Sequence, residues 1–144
     1  TVYYGDEAGV CGFTDPDNRR TYPWGHEDKE LIDFHKAAIK MHKENEVLRT
    51  GSYKQLYSAH NVIAYGRFTS DDAVIVVVNN GEDEIRVNIP AWETGLAMDD
   101  DVEQIMVTFE GGYSTDRQGY RLKDGILNIG LRKTSATVLR RLRW

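Results

Sequence analysis

The sequence predicts a mainly β protein: an antiparallel sandwich or barrel of about eight short strands over residues 51–144, preceded by one strand-loop-helix unit over residues 1–50. Two patterns lead there. After Gly51, runs of strand length rich in β-branched and aromatic residues recur about every ten residues, separated by turn chemistry and by no helical period. Before Gly51, apolar residues recur at steps of three and four only once, behind a loop rich in Gly, Asp and Arg. A single βα unit cannot bury both faces of its strand without parallel neighbours, so residues 1–50 look like the last unit of something larger.

Taken in order, Thr1-Val2-Tyr3-Tyr4 is the strand-like piece and Gly5 to Gly25 the loop. From Asp28 onward, Leu31, Phe34, His35, Ala38, Ile39 and His42 form one face, while Lys29, Glu30, Asp33, Lys36, Lys40 and Lys43 form the other. That is an amphipathic helix, with Glu27 and Asp28 opposing the positive end of its dipole and Asn45 near its exit. The strands expected after it are Ser52 to Tyr57, Val62 to Phe68, Ala73 to Asn79, Glu84 to Ile89, Gln104 to Phe109, Gly119 to Leu122, Ile126 to Ile129 and Ala136 to Leu142. Asn80-Gly81 is a hairpin signal, because both residues tolerate positive φ, and it predicts that the strands on either side of it are antiparallel neighbours. Lys123-Asp124-Gly125 predicts a second tight turn.

Composition narrows what such a chain does. It has 144 residues, 40% of them hydrophobic, enough for a packed core, and 23 acidic against 18 basic residues give a net charge of -5. An acidic chain does not present the positive face that nucleic acid requires. Cys11, the single cysteine, can form neither an internal disulfide nor a thiolate zinc site. The longest apolar run, Ala73 to Val78, falls far short of the roughly 20 residues that cross a bilayer. No nucleic acid, membrane, metal or cofactor is therefore expected as a partner.

Polar chemistry concentrates in the loop, at Asp15-Pro16-Asp17-Asn18-Arg19-Arg20-Thr21-Tyr22-Pro23-Trp24. In α/β barrels the loops after the strands build the active site. Asp15 and Arg19, four residues apart across a proline-containing turn, can share a hydroxyl-rich ligand, the acid accepting and the guanidinium donating hydrogen bonds. Tyr22 and Trp24 offer aromatic faces for sugar rings. The simpler reading is an ion pair that only staples its own loop.

These residues carry a specific resemblance. Thr1-Val2-Tyr3-Tyr4-Gly5-Asp6-Glu7 resembles the eighth barrel strand of the α-amylase family, glycoside hydrolase family 13, with its Tyr-Tyr-Gly-x-Glu run. The Asp15 to Trp24 segment is similar to the following loop in neopullulanases, cyclomaltodextrinases, maltogenic amylases and amylopullulanases. Lys43 to Gly51 resembles the exit of the eighth barrel helix, and the remainder resembles the family's C-terminal domain, ending in Thr134 to Leu139. The fold so implied is a C-terminal antiparallel Greek-key β-sandwich preceded by strand 8, loop and helix 8 of an incomplete (β/α)8 barrel.

The resemblance also implies a retaining hydrolase of α-glucosidic bonds that uses two carboxylates, with starch, pullulan or cyclodextrin as substrate. Those carboxylates project from barrel strands four, five and seven, which would precede Thr1, so no catalytic residue is expected here and the chain alone is expected to be inactive. His26, His35, His42 and His60 are not assigned catalytic roles; His35 and His42 are expected at the core boundary. Asp15 and Arg19 correspond to the pair that binds glucose units, with Arg20 a further candidate. Tyr4, Gly5, Glu7 and Trp24 are read as structural. The expected partners are an α-glucan oligosaccharide, the upstream barrel and a second copy of the chain.

Three other features are weighed against this. A carbohydrate-binding sandwich with its own α-glucan affinity would display an aromatic platform, for which Trp92, Tyr113 and Tyr120 are the candidates. Asp99-Asp100-Asp101 lacks the glycine-turned loop of a calcium site and reads as a solvated acidic loop. Arg140, Arg141 and Arg143 beside Trp144 read as charges on an edge strand that discourage aggregation.

Overall fold

A computed structural model describes residues 1–142; Arg143 and Trp144, the end of the basic run, lie outside the described residues. The residues cluster into two compact units, Thr1–Glu44 and from Asn45 on.

The second unit is the expected antiparallel sandwich, with nine strands among the described residues: β1 (Ser52–Ala59), β2 (Val62–Phe68), β3 (Ala73–Asn79), β4 (Ile85–Pro90), β5 (Asp101–Phe109), β6 (Gly112–Ser114), β7 (Gln118–Arg121), β8 (Ile126–Leu131) and β9 (Ser135–Arg141). One sheet runs β1-β2-β3-β9-β5, with β6 and β7 both paired to β5, and the second sheet is the pair β4-β8. The last strand thus enters between β3 and β5 by a long return through the other sheet, the type of connection that separates a Greek key from a simple meander. Alternation sets the core. Ala64, Ile75, Val77 and Leu139 face Val87, Ile89, Leu127, Ile129 and Leu131 across the two sheets, all buried. The unbroken apolar run of β3 is explained by its central place: Val74 and Val76, on its other face, are buried too. A short helix, α2 (Glu46–Thr50), packs on β2 and β3 and buries Val47.

Two sequence expectations about pairing fail for a physical reason. Asn80-Gly81 makes no hairpin: β3 pairs with β2 and β9, while β4 pairs with β8. Neither residue takes positive φ, so the conformation that the dipeptide permits is not used. The Asn79 side chain directs this segment instead, accepting from Gly81 N at 2.9 Å and donating to the carbonyls of Asp83 and Arg132 at 2.9 and 2.8 Å. The basic strand is not an edge either. β9 lies inside the sheet, and its arginines are tied down singly, Arg140 to Glu103 at 2.7 Å and Arg141 to Asp100 at 3.1 Å. The acidic run is accounted for in the same way, since Asp99 and Asp101 both pair with Arg121 and the three carboxylates converge on no common point.

The Lys123-Asp124-Gly125 turn forms, with φ of 51° at Asp124 and 74° at Gly125, closing a single antiparallel bridge between Lys123 and Ile126 before β7 and β8 part into separate sheets. A Cβ added at Gly125 would stand 2.7 Å from the Trp92 Cβ and 2.9 Å from the Met98 sulfur. Gly125→Ala is therefore expected to lower the stability of the sandwich by about 1–3 kcal/mol in urea denaturation. Gly119→Ala, at a position with nothing within 4 Å, should stay within about 0.5 kcal/mol.

In the first unit the helix α1 (Lys29–Glu44) forms as expected, started by Asp28, whose Oδ1 accepts from Leu31 N at 2.9 Å. The strand expected over residues 1–4 does not form. Those residues are exposed and belong to no ladder among the described residues, and a strand without a neighbour leaves its backbone groups unpaired. His35 sits half-buried and donates from Nδ1 to the Leu31 carbonyl at 2.9 Å, whereas His42 is exposed instead of at the core boundary.

Candidate functional site

The candidate site is the loop between residues 5 and 28, and its shape follows from short-range hydrogen bonds instead of from a core. Gly5, at φ 87°, turns the chain into a 3-10 turn over Asp6–Ala8, and its N–H is held by Glu7 Oε2 at 3.1 Å. Ala8 is buried and its carbonyl accepts from Asp28 N at 3.1 Å, so the loop starts and ends against the foot of α1. Tyr4 is tied to the loop by its hydroxyl, which donates to the Arg20 carbonyl at 3.0 Å.

Between these ends the chain folds back on itself. The Asp15-Pro16 peptide is cis, and a 3-10 turn follows at Asp17–Arg19. The return passes so close to Gly12 that a Cβ there would lie 2.5 Å from the Asn18 Cα, which no other residue could accept without moving backbone. The pair anticipated from spacing is formed: Arg19 Nη2 donates to Asp15 Oδ2 at 3.0 Å, with 61% and 64% of the two side chains exposed. Both residues keep unused hydrogen-bonding positions toward solvent, which is what recognition of vicinal hydroxyls requires.

Arg20 differs. Its Nε and Nη2 both reach Asp17 Oδ1, at 2.9 and 2.6 Å, and the other oxygen of Asp17 accepts from Phe13 N at 3.0 Å. The Arg20 guanidinium and the Phe13 N–H hold the Asp17 carboxyl below the ordinary carboxylate range. It therefore stays ionised to lower pH than an ordinary carboxylate. Hydrogen bonds from its own and the Gly25 backbone N–H groups lower Glu27 likewise. Both displacements run opposite to what a general acid needs.

The same loop carries aromatic residues. Tyr22 and Trp24 lie 4.6 Å apart between centroids, and partial burial, with Glu7 and Glu27 nearby, raises the Tyr22 phenol above its usual range. Trp24 is 79% exposed and Phe13 87% exposed. Phe13 escaped sequence reading because a lone aromatic between Gly12 and Thr14 has no periodic partner to mark it. On the sandwich, among the candidates for an aromatic platform, Trp92 is 47% exposed, while Tyr113 and Tyr120 are half-buried, Tyr120 against the core. An aromatic pair not singled out from sequence, Tyr53 and Tyr65 on β1 and β2, does form, at 5.5 Å between centroids. Among the described residues no group of three or more His, Cys, Asp or Glu could hold a metal ion.

No protein-family model matches the chain. Individual proteins do. An amylopullulanase of Thermoanaerobacter thermohydrosulfuricus is 44% identical over 93 aligned residues, covering 57% of this chain and 6% of that enzyme. A cyclomaltodextrinase of Thermoanaerobacter pseudethanolicus is 42% identical over 81 residues, covering 55% of this chain and 14% of that one. The chain therefore spans less than a sixth of the length of either relative. Among solved structures, an α-amylase of Geobacillus thermoleovorans in complex with acarbose matches with a TM-score of 0.80 at 23% identity, over 98% of this chain and 29% of that one, a likeness of fold.

Proposed function

From the chain's homology to a segment of α-amylase family glycoside hydrolases, we propose that it is the C-terminal part of a retaining hydrolase of α-glucosidic bonds, acting on starch, pullulan or cyclodextrin. In this reading residues 1–50 are the last βα unit of the barrel, residues 51–144 are the sandwich that caps it, and the loop between residues 12 and 24 contributes a glucose-binding surface. The observation that carries it is the exposed Asp15–Arg19 pair, formed at 3.0 Å in a loop that also carries the exposed residues Phe13 and Trp24. The pair offers a hydroxyl acceptor and a planar donor fork, and the loop's exposed rings offer apolar faces, the chemistry of a pyranose edge and face.

The reaction's own carboxylates are assigned to other parts of that enzyme. Retaining hydrolysis needs two carboxyl groups about 5–5.5 Å apart, one of them with a raised pKa. The loop acids are engaged elsewhere: Asp6 accepts from Tyr3 N, Glu7 and Glu27 from glycine N–H groups, Asp28 caps α1, and Asp15 and Asp17 face arginines.

The test is a titration of the 144-residue chain with maltotriose, followed by amide NMR shifts and by release of glucose or maltose. The expected result is shift changes confined to residues 12–24 and no hydrolysis. Hydrolysis by a preparation free of longer enzyme, or shifts centred on Trp92 or Tyr53 in place of the loop, would overturn the reading.

A further inference from the structure

We propose that Asp17 is the positioning residue of the sugar-binding loop: by fastening both ends of the segment 13–20 it presents Asp15 and Arg19 in one fixed arrangement. The inference rests on the glucose-binding reading above and adds to it a residue that does not itself meet the sugar.

The geometry is that of a clasp. Residues 13 and 20 lie at the two ends of the turn, and Asp17 sits between them in sequence. One of its oxygens accepts from Phe13 N at 3.0 Å, and the other accepts two donors of Arg20, at 2.6 and 2.9 Å. Arg20 is in turn fixed to the rest of the unit through its carbonyl, which accepts from Tyr4 Oη at 3.0 Å. Backbone bonds Asp17 N to Thr14 O at 2.8 Å and Arg19 N to Pro16 O at 3.0 Å tighten the interior of the same segment. With three donors on one carboxylate, little of Asp17 remains for a ligand, and the Arg20 donors that could have met sugar are largely spent on the clasp. Asp15 and Arg19 take no part in these bonds and make their own 3.0 Å ion pair, each side chain more than half exposed.

A clasp of this kind matters more for binding than for folding. Exposed ion pairs contribute little to global stability. A binding surface that must first be ordered loses the ordering cost from its affinity, and a pre-set one does not. The charge on Asp17 supports the same role, since its lowered pKa keeps the carboxylate ionised through the range in which an ordinary one begins to protonate.

The experiment measures maltotriose affinity of the 144-residue chain by NMR titration, for the unaltered chain, Asp17→Ala, Asp17→Asn and Asp15→Ala, with thermal unfolding of each. Asp17→Ala is expected to weaken binding about tenfold with an unchanged unfolding transition, and to shift the Phe13 and Arg20 amide signals toward disordered positions before any sugar is added. Asp17→Asn, which keeps an acceptor for Phe13 but loses the charge facing Arg20, should recover part of the loss. If Asp15→Ala weakens binding while both Asp17 variants bind as the unaltered chain does, the clasp is overturned and the glucose-binding reading stands. If Asp15→Ala binds maltotriose unchanged, the glucose-binding reading fails and the clasp's assigned purpose fails with it.

Discussion

Arg19→Ala, made in the α-glucan hydrolase proposed to carry this segment, raises KM for maltooligosaccharides by about tenfold to a hundredfold, with the smaller share of the loss in kcat. The direction follows from the two roles open to Arg19. As a mere staple, its 3.0 Å bond to Asp15 joins two side chains that are each more than half exposed, and such a pair contributes only about 0.2–1 kcal/mol to folding. As a sugar ligand, it donates charge-assisted hydrogen bonds to hydroxyls, each worth about 1.5–3 kcal/mol when lost. Binding at a unit remote from the cleaved bond is felt in ground and transition states alike, so the loss appears in KM. Arg19→Lys separates charge from shape: it keeps the cation but not the planar fork, and should fall between the two. A variant with unchanged KM and a lower melting temperature would make the pair a staple and remove it from the substrate surface.

Much of this loop could be anticipated from residue spacing, and its limits are instructive. Asp15 and Arg19 are an i,i+4 pair across a proline, and the contact forms as spacing suggested. Asp17 and Arg20 are equally close in sequence, yet the role of Asp17 depends on Phe13 N, a backbone group that no residue pattern announces. In the sandwich, strand positions were legible because alternation and β-branched runs are local properties. The short strand β6 (Gly112–Ser114) was not, since three residues hold too little pattern to see. Pairing was misjudged at Asn80-Gly81 because a hairpin signal states what a dipeptide permits, and the choice was made by contacts that Asn79 makes to residues as distant as Arg132. The strand expected over residues 1–4 failed for a related reason: strand propensity is realised only beside a partner strand.

Asn79→Leu is expected to cost the sandwich about 2–4 kcal/mol, more than its modest change in volume would imply. Asn79 is 2% exposed, at the end of the central strand β3. Its amide donates to the carbonyls of Asp83, after β3, and Arg132, after β8, and its oxygen accepts from Gly81 N. Close by, Asn80 N donates to the Asn61 carbonyl at 2.8 Å and Thr134 N to the Gly81 carbonyl at 2.9 Å. Three connections, β1 to β2, β3 to β4 and β8 to β9, are therefore joined at one point, and two of them carry the chain between the sheets. Leucine would leave two carbonyls and one N–H without their partner, each costing about 1–3 kcal/mol where water cannot replace it, and because Asp83 and Arg132 are exposed residues water makes good part of that loss. Asn79→Asp supplies a sharper control. It keeps the acceptor for Gly81 but sets a carboxylate against two carbonyl oxygens, which raises the pKa of the new group. Its stability should then be greatest at acid pH, where the group is protonated and can donate, and should fall as pH rises through the raised value. Urea denaturation across pH separates the cases: a loss near zero for Asn79→Leu, or an Asn79→Asp protein that gains stability as pH rises, would mean that the crossing is held by packing and not by this side chain.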